Sequence, residues 1–268
     1  MAVRKIFTTS LKLFTLLLGI AIPDVLSAQY DDEIINSKPN NFTWAVTLQT
    51  KGISTIPNLT LGKPAAVFDL KIGRKLTFEP QFRFALTGKP WATVFWWRYS
   101  PAISDKLNLT LHTNYSFSYK TITVESSGGS QDILRTTRYL VFAIEPYYLV
   151  SKHINIGTYI SYNHGIEKFI IRNTYMFSFR TGLSGIPITK NIAARVNPEI
   201  YYMKMDNTDG VFINARMLIS KKNFPVSVSG LINKPIESNI PSDYDFLWNV
   251  GLSYTFNRKY IEASGRQN

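Results

Sequence analysis

Cysteine is absent from the 268 residues. That excludes a disulfide framework, a thiolate metal site or nucleophile, and an N-terminal cysteine that could carry lipid. Long apolar runs are also scarce. After residue 28 no stretch approaches the roughly 20 residues that a helix needs to cross a membrane, and the greasiest segment, 139–150, is broken by Glu145 and Pro146. Histidine occurs three times, at His112, His153 and His164. There is no paired-histidine metal motif, no glycine-rich phosphate loop with lysine and no dinucleotide fingerprint, so no cofactor is implied. Acidic residues are few, 18 against 30 lysines and arginines. The basic residues stand singly along the chain rather than in one element, which is not the footprint of a nucleic-acid binder.

What is present begins with an export signal. Arg4, Lys5 and Lys12 precede the apolar run Leu13 to Ile22, and a short polar end at Leu26, Ser27 and Ala28 follows. The pattern predicts a signal peptide over 1–28, cut after Ala28. The mature chain keeps 27 basic and 17 acidic residues, an excess that needs a structural reason.

Beyond it, the chain alternates. Leu107, Leu109, Leu111, Thr113, Tyr115, Phe117 and Tyr119 fall on one face of a strand, with Asn108, Thr110, His112, Asn114, Ser116 and Ser118 on the other. The same rhythm predicts about 12 strands, with 10 to 14 as the range: 42–50, 65–73, 75–86, 90–100, 106–121, 135–150, 153–163, 169–182, 191–204, 210–220, 224–233 and 246–257. Most reach the roughly 9 to 11 residues of a tilted membrane strand. Residues 29–41 and 258–268 lack periodicity and read as polar periplasmic ends. A soluble β-sandwich would also alternate, so connection lengths decide. Connections 51–64, 122–134 and 234–245 are long and fall on one side, while Gly73-Arg74, Ser151-Lys152 and Lys221-Asn223 are tight and fall on the other; Gly182 to Lys190 is longer than that pattern expects. Trp91, Tyr119, Tyr162, Tyr202 and Trp248 are expected near the outer rim. Trp44, Tyr99, Tyr148, Tyr254 and Phe256 are expected near the inner one, as two aromatic belts.

The last strand, with Phe246, Trp248, Val250, Leu252, Tyr254 and Phe256 on one face, resembles the aromatic-ended closing strand of bacterial outer-membrane barrels. Signal, alternation, loop parity and closing strand together make residues 42–257 similar to a transmembrane antiparallel up-and-down β-barrel of a Gram-negative outer membrane. No subfamily is identified. The resemblance implies contact with outer-membrane lipid and leaves the oligomeric state open.

Three strands carry an inward polar residue beside an outward proline, at Glu79-Pro80, Glu145-Pro146 and Asn197-Pro198. A proline removes a ladder donor, so local bulges are expected there. By parity the lumen receives Lys71, Lys75, Arg83, Arg98, Lys120, Arg172, Arg180, Arg195 and Arg216, with Asp69, Glu79, Glu145 and Glu199 as acidic members. Two readings follow. A cation-lined passage would draw small anionic solutes along Arg83, Arg98, Arg172, Arg180, Arg195 and Arg216. Alternatively the carboxylates pair with arginines and fill the interior, leaving a structural or adhesive barrel whose long loops meet partners. A remote third reading, a lipid hydrolase, rests on His112 four residues before Ser116; no carboxylate can be placed to orient that histidine, and it is expected as a polar lumen filler. Lys221 and Lys222 are expected as solvated turn charge.

Overall fold

The computed structural model describes residues 40–126 and 129–260; the expected signal peptide, its cleavage site and most of the two polar ends lie outside them. Twelve strands form one closed antiparallel barrel in which each pairs with its sequence neighbours and β12 closes on β1. They are β1 (Asn40–Gln49), β2 (Ala65–Gly73), β3 (Leu76–Ala85), β4 (Pro90–Tyr99), β5 (Leu107–Ser126) and β6 (Gly129–Leu149), then β7 (Ile154–Gly165), β8 (Asn173–Pro187), β9 (Ile192–Met205), β10 (Thr208–Lys221), β11 (Val226–Ser238) and β12 (Leu247–Tyr260). Eight strands lie within three residues of their expected limits, because a period of two is read directly from side-chain polarity; β5, β6, β8 and β11 each run five or six residues past one limit, β11 into the connection expected at 234–245.

The hydrophobic pattern is inverted relative to a soluble protein. Phe82, Phe142, Phe177, Ile200 and Leu252 are 40–53% exposed on the outside, while Asn114, Ser178, Glu199 and Asn214 are at most 5% exposed on the inside. A sandwich would bury the first set, so the outer surface is built for lipid.

One end carries β1's start, β12's end and the connections 74–75, 100–106, 150–153, 188–191 and 222–225; it is called the turn end. The opposite loop end carries the segment 50–64 and the hairpin tips. The connection expected at 122–134 is not a loop: β5 and β6 run on in register from Tyr119↔Thr136 to Ser126↔Gly129. The partner strands stop earlier, β4 pairing only to Ser118 and β7 only from Tyr139. A two-stranded ribbon therefore stands about 20 Å or more beyond the barrel wall at 3.3 Å per residue. The long connection expected at 182–190 is also mostly strand. β8 continues to Pro187 with a register shift between Leu183 and Ile186, where Gly185 has a φ of +68°.

The expected proline bulges do not form. Around Pro80 and Pro146 the pairings on either side, Asp69↔Gln81 with Ile72↔Phe78 and Ile144↔Ile160 with Tyr147↔Gly157, keep one register. Arg180↔Glu199 and Leu183↔Val196 do the same around Pro198. The missing donor interrupts the ladder without adding a residue, so the side chains on either side keep their faces.

At the tight β2–β3 turn Gly73 has a φ of +116°, and an added Cβ would meet the Leu76 carbonyl oxygen at 2.2 Å. Gly73→Ala is expected to destabilise the barrel by roughly 1–3 kcal/mol. It would be read as a lower urea midpoint with an unchanged slope; an unaltered midpoint would show that the turn relaxes freely.

Candidate functional site

The interior is built from the inward positions of all twelve strands, and its two halves differ. Midway along the barrel, eight successive strands contribute to one ionic girdle. It starts on β2 and β3, where Lys71 Nζ lies 2.8 Å from Glu79 Oε1, and Glu79 also pairs with Arg98 of β4. Arg98 Nε donates to His112 Nδ1 of β5 at 3.0 Å, and His112 Nε2 lies 3.0 Å from Glu145 Oε2 of β6. An arginine can only donate, so His112 Nδ1 carries no proton and the ring proton sits on Nε2, facing the carboxylate. Arg180 of β8 closes the run, its Nη1 2.8 Å from Glu145 Oε1 and its Nε 2.8 Å from Glu199 Oε1 of β9. The strand between, β7, supplies Tyr159, whose ring lies 4.0 Å from the Arg180 guanidinium carbon and 5.8 Å from the His112 ring.

Strand pairing creates these contacts. Arg98 stands directly opposite His112, and Arg180 opposite Glu199, in the ladder. Each girdle glutamate also sits next to a proline, Glu79 before Pro80, Glu145 before Pro146 and Glu199 after Pro198. A second polar chain lies above on β2 and β3, where Arg83 Nε donates to Gln81 Oε1 at 2.5 Å and Gln81 donates to Asp69.

Six of the nine basic residues placed in the lumen by parity line the interior: Lys71, Arg83, Arg98, Arg180, Arg195 and Arg216. Three do not. Lys75 sits in the 74–75 turn, and Lys120 lies on the projecting ribbon beyond the wall. Arg172 precedes β8 as an exposed residue, its backbone amide donating to Asp206 at the loop end. Lys75 and Arg172 lie one residue outside their strands, and Lys120 lies on β5 where no β4 partner remains to form a wall. All four acidic residues, Asp69, Glu79, Glu145 and Glu199, face inward. Among the described residues Arg83, Arg195 and Arg216 make no ion pair with a carboxylate; Arg83 reaches Asp69 only through Gln81, and Arg216 Nη2 lies 3.3 Å from Thr55 Oγ1.

Toward the loop end the interior turns apolar. Met176, Tyr201, Met203, Met205 and Phe212 form a buried cluster from β8, β9 and β10, covered by Ile240 and by Ile56 of the segment 50–64. That segment folds inward. Its base is tied by the Leu61 and Gly62 amides donating to the Gly52 carbonyl, and a short 3-10 turn, Pro57–Leu59, crosses the mouth. The Leu59 carbonyl accepts a hydrogen bond from Trp91 Nε1 at 2.9 Å. Trp91 is therefore an inward anchor, 4% exposed, and not a member of the outer aromatic belt. The turn-end belt is present as expected, with Trp44 packed on Tyr254 and Phe256 at 5.6 and 5.7 Å.

Beneath the segment lies a cavity of about 870 Å³ bordered by Asp69, Arg83, Arg98, Glu145, Arg180 and Arg216. A second space of about 510 Å³ shares Glu145, Arg180 and Arg216 and runs to Lys152 and Ser184 at the turn end. At the loop end, Glu167 is pulled two ways. Slight burial pushes its carboxyl up, but the Arg138 amide and guanidinium donate to it and together hold it below the usual carboxylate range.

Sequence reasoning missed two features of the interior. Glu145 is the carboxylate beside His112 that spacing could not place. With one nitrogen accepting from Arg98 and the other facing Glu145, His112 has no free lone pair with which to take a serine proton. The inward loop was missed too, although its apolar residues Ile53, Ile56, Leu59 and Leu61 are unusual for a solvated loop.

No protein-family model and no curated protein sequence matches the chain. Among solved structures, the KdgM porin in complex with disordered oligogalacturonate is similar over 81% of this chain and 99% of that one, with a TM-score of 0.50 and 8% identity. The NanC porin is similar over 82% and 100%, at a TM-score of 0.46 and 8% identity. An outer-membrane channel from Pseudomonas putida F1 is similar over 89% and 100%, at 0.47 and 6%. With lipid-type residues outside, polar and charged residues inside and twelve strands closed on themselves, the chain has the fold of a bacterial outer-membrane β-barrel protein.

Proposed function

We propose that the protein is a narrow passive channel for small anionic solutes, set in the outer membrane with its turn end toward the periplasm. One observation carries the reading: the four interior carboxylates are engaged, while Arg195 and Arg216 remain without a carboxylate partner at the lining of the two interior spaces. Six interior cations face four interior anions, and a residual positive charge between low-dielectric walls raises the local concentration of anions. Similarity to the KdgM porin supports a barrel that passes solute. The girdle's part is to fix the shape of the passage, since its charges mostly cancel. Arg195 and Arg216 set its sign.

Single-channel recording of the refolded protein under a salt gradient tests this. Anion-over-cation permeability is expected at roughly two- to fivefold and to fall to about one in Arg195→Gln/Arg216→Gln, which removes the excess. Cation preference in the unmodified protein would overturn it. The inward packing of 50–64 favours a second reading, a closed barrel acting through its outer loops and ribbon. A folded protein that passes no current, with or without the loop, would establish that one.

A further inference from the structure

The basic excess is not where the lumen reading puts it. Between residues 40 and 260 there are 25 lysines and arginines and 13 acidic residues. The interior holds six cations and four anions, and the loop end ten and eight. The turn end holds nine cations and one anion, Asp105. Two thirds of the net charge of the described barrel is therefore concentrated at one rim.

The distribution around that rim is even. Arg74 and Lys75 occupy the first turn, Lys106 the second and Lys152 the third. Lys190 lies in the fourth, Lys221 and Lys222 at the fifth, and Arg258 and Lys259 near the end of β12, beside β1. Every inter-strand position on the circumference thus carries at least one cation. Only Arg74 and Lys152 border the interior spaces; the other seven do not. The level is marked by aromatic rings on the lipid side. The Arg258 guanidinium lies 5.4 Å over the Phe256 ring, itself stacked on Trp44, and Lys221 Nζ lies 5.8 Å over Phe224, which is 54% exposed. Long cationic side chains just beyond an aromatic belt sit at the depth of lipid phosphates.

We propose that this rim is a collar that binds anionic phospholipid headgroups of the periplasmic leaflet, so that Lys221 and Lys222 are lipid contacts rather than solvated turn charge. A solute entering the barrel meets only the two cations at the mouth. A protein partner needs a contiguous patch on one sector. A complete ring outside an aromatic belt matches what surrounds the barrel on every side, which is lipid. Basic residues at a membrane surface attract anionic headgroups additively and lose that attraction in salt. The proposal depends on membrane placement and not on whether the lumen conducts.

The built-in reporters are tryptophans. Trp44 and Trp97 face lipid near the turn end, Trp248 faces lipid at the loop end, and Trp91 and Trp96 face the interior. In a Trp248→Phe background, quenching by brominated phosphatidylglycerol and brominated phosphatidylcholine in mixed vesicles reads lipid at the turn end alone. Association of phosphatidylglycerol is expected to be about twofold or more stronger, falling to parity at high salt and substantially toward parity in Lys106→Gln/Lys221→Gln/Lys222→Gln/Arg258→Gln, which removes four of the nine rim cations. Heat-modifiable migration on gels would confirm that the variant folds, and none of the four residues lines the lumen. Equal association in the parent would overturn the proposal. So would a preference left undiminished by the four substitutions, or a variant that changes ion selectivity while lipid preference is absent.

Discussion

Excising residues 54–60, so that Ile53 joins Leu61, raises unit conductance about threefold or more, because the segment that crosses the mouth is gone while the wall is untouched. The excision is geometrically mild. The Leu61 and Gly62 amides already donate to the Gly52 carbonyl at 3.0 and 3.1 Å, so the ends to be joined lie side by side. What is lost is the Pro57–Leu59 turn, the Ile56 contact with the methionine cluster, the Leu59 acceptor of Trp91 and the Thr55 hydroxyl near Arg216. Trp91→Ala should act in the same direction without shortening the chain. It removes the hydrogen bond and also the ring against which Gly52 is packed so closely that a Cβ there would lie 2.8 Å from it. Recording both variants beside the parent separates a seated obstacle from an idle loop. Unchanged conductance after the excision would mean that the segment does not limit flow.

That loop also shows where sequence reading stops. Alternation locates strands because the period is a property of single residues, and β2, β3 and β4 lie within one residue of their expected limits. Contacts between strands need register, which depends on turn length and on where a strand truly ends. The 100–106 connection is too long to fix register by itself, so the facing of Arg98 and His112 could not be derived. The ribbon was legible in part: Ile122 and Val124 keep a two-residue apolar spacing, on the face that is polar lower in β5, through a stretch whose glycines and serines suggest a loop, and Ile122 stands opposite Ile133. The apolar loop-end interior was legible too. Met203 and Met205 alternate with Tyr202 and Lys204, so the inward positions of β9 lose polarity toward its end. A barrel whose inward face becomes apolar at one end must cover that end, because exposed methionine and phenylalanine inside a water-filled lumen gain nothing from lipid. Ile56 and Ile240 are the cover. The basic rim, by contrast, needed only counting once the ends were known.

The girdle fails most sharply at its hub. Arg180 is bonded to both Glu145 and Glu199 and rests on Tyr159, so Arg180→Met leaves two inward carboxylates without their cation. Glu199 is 5% exposed and cannot regain much water. Removing one partner of a buried pair costs about 3–5 kcal/mol, mostly the desolvation of the charge left behind. The larger part of that loss should therefore return when the stranded charge is also removed, in Arg180→Met/Glu199→Leu, even though this variant has fewer polar contacts than either parent or single variant. Urea unfolding in detergent or bilayer, followed by the gel shift between folded and unfolded forms, gives both numbers. If the double variant is less stable than Arg180→Met, the girdle holds the barrel by attraction between its members. If it recovers, the ion pairs are a means of tolerating charge inside a wall of strands, and what they secure is the shape of the passage between β2 and β9.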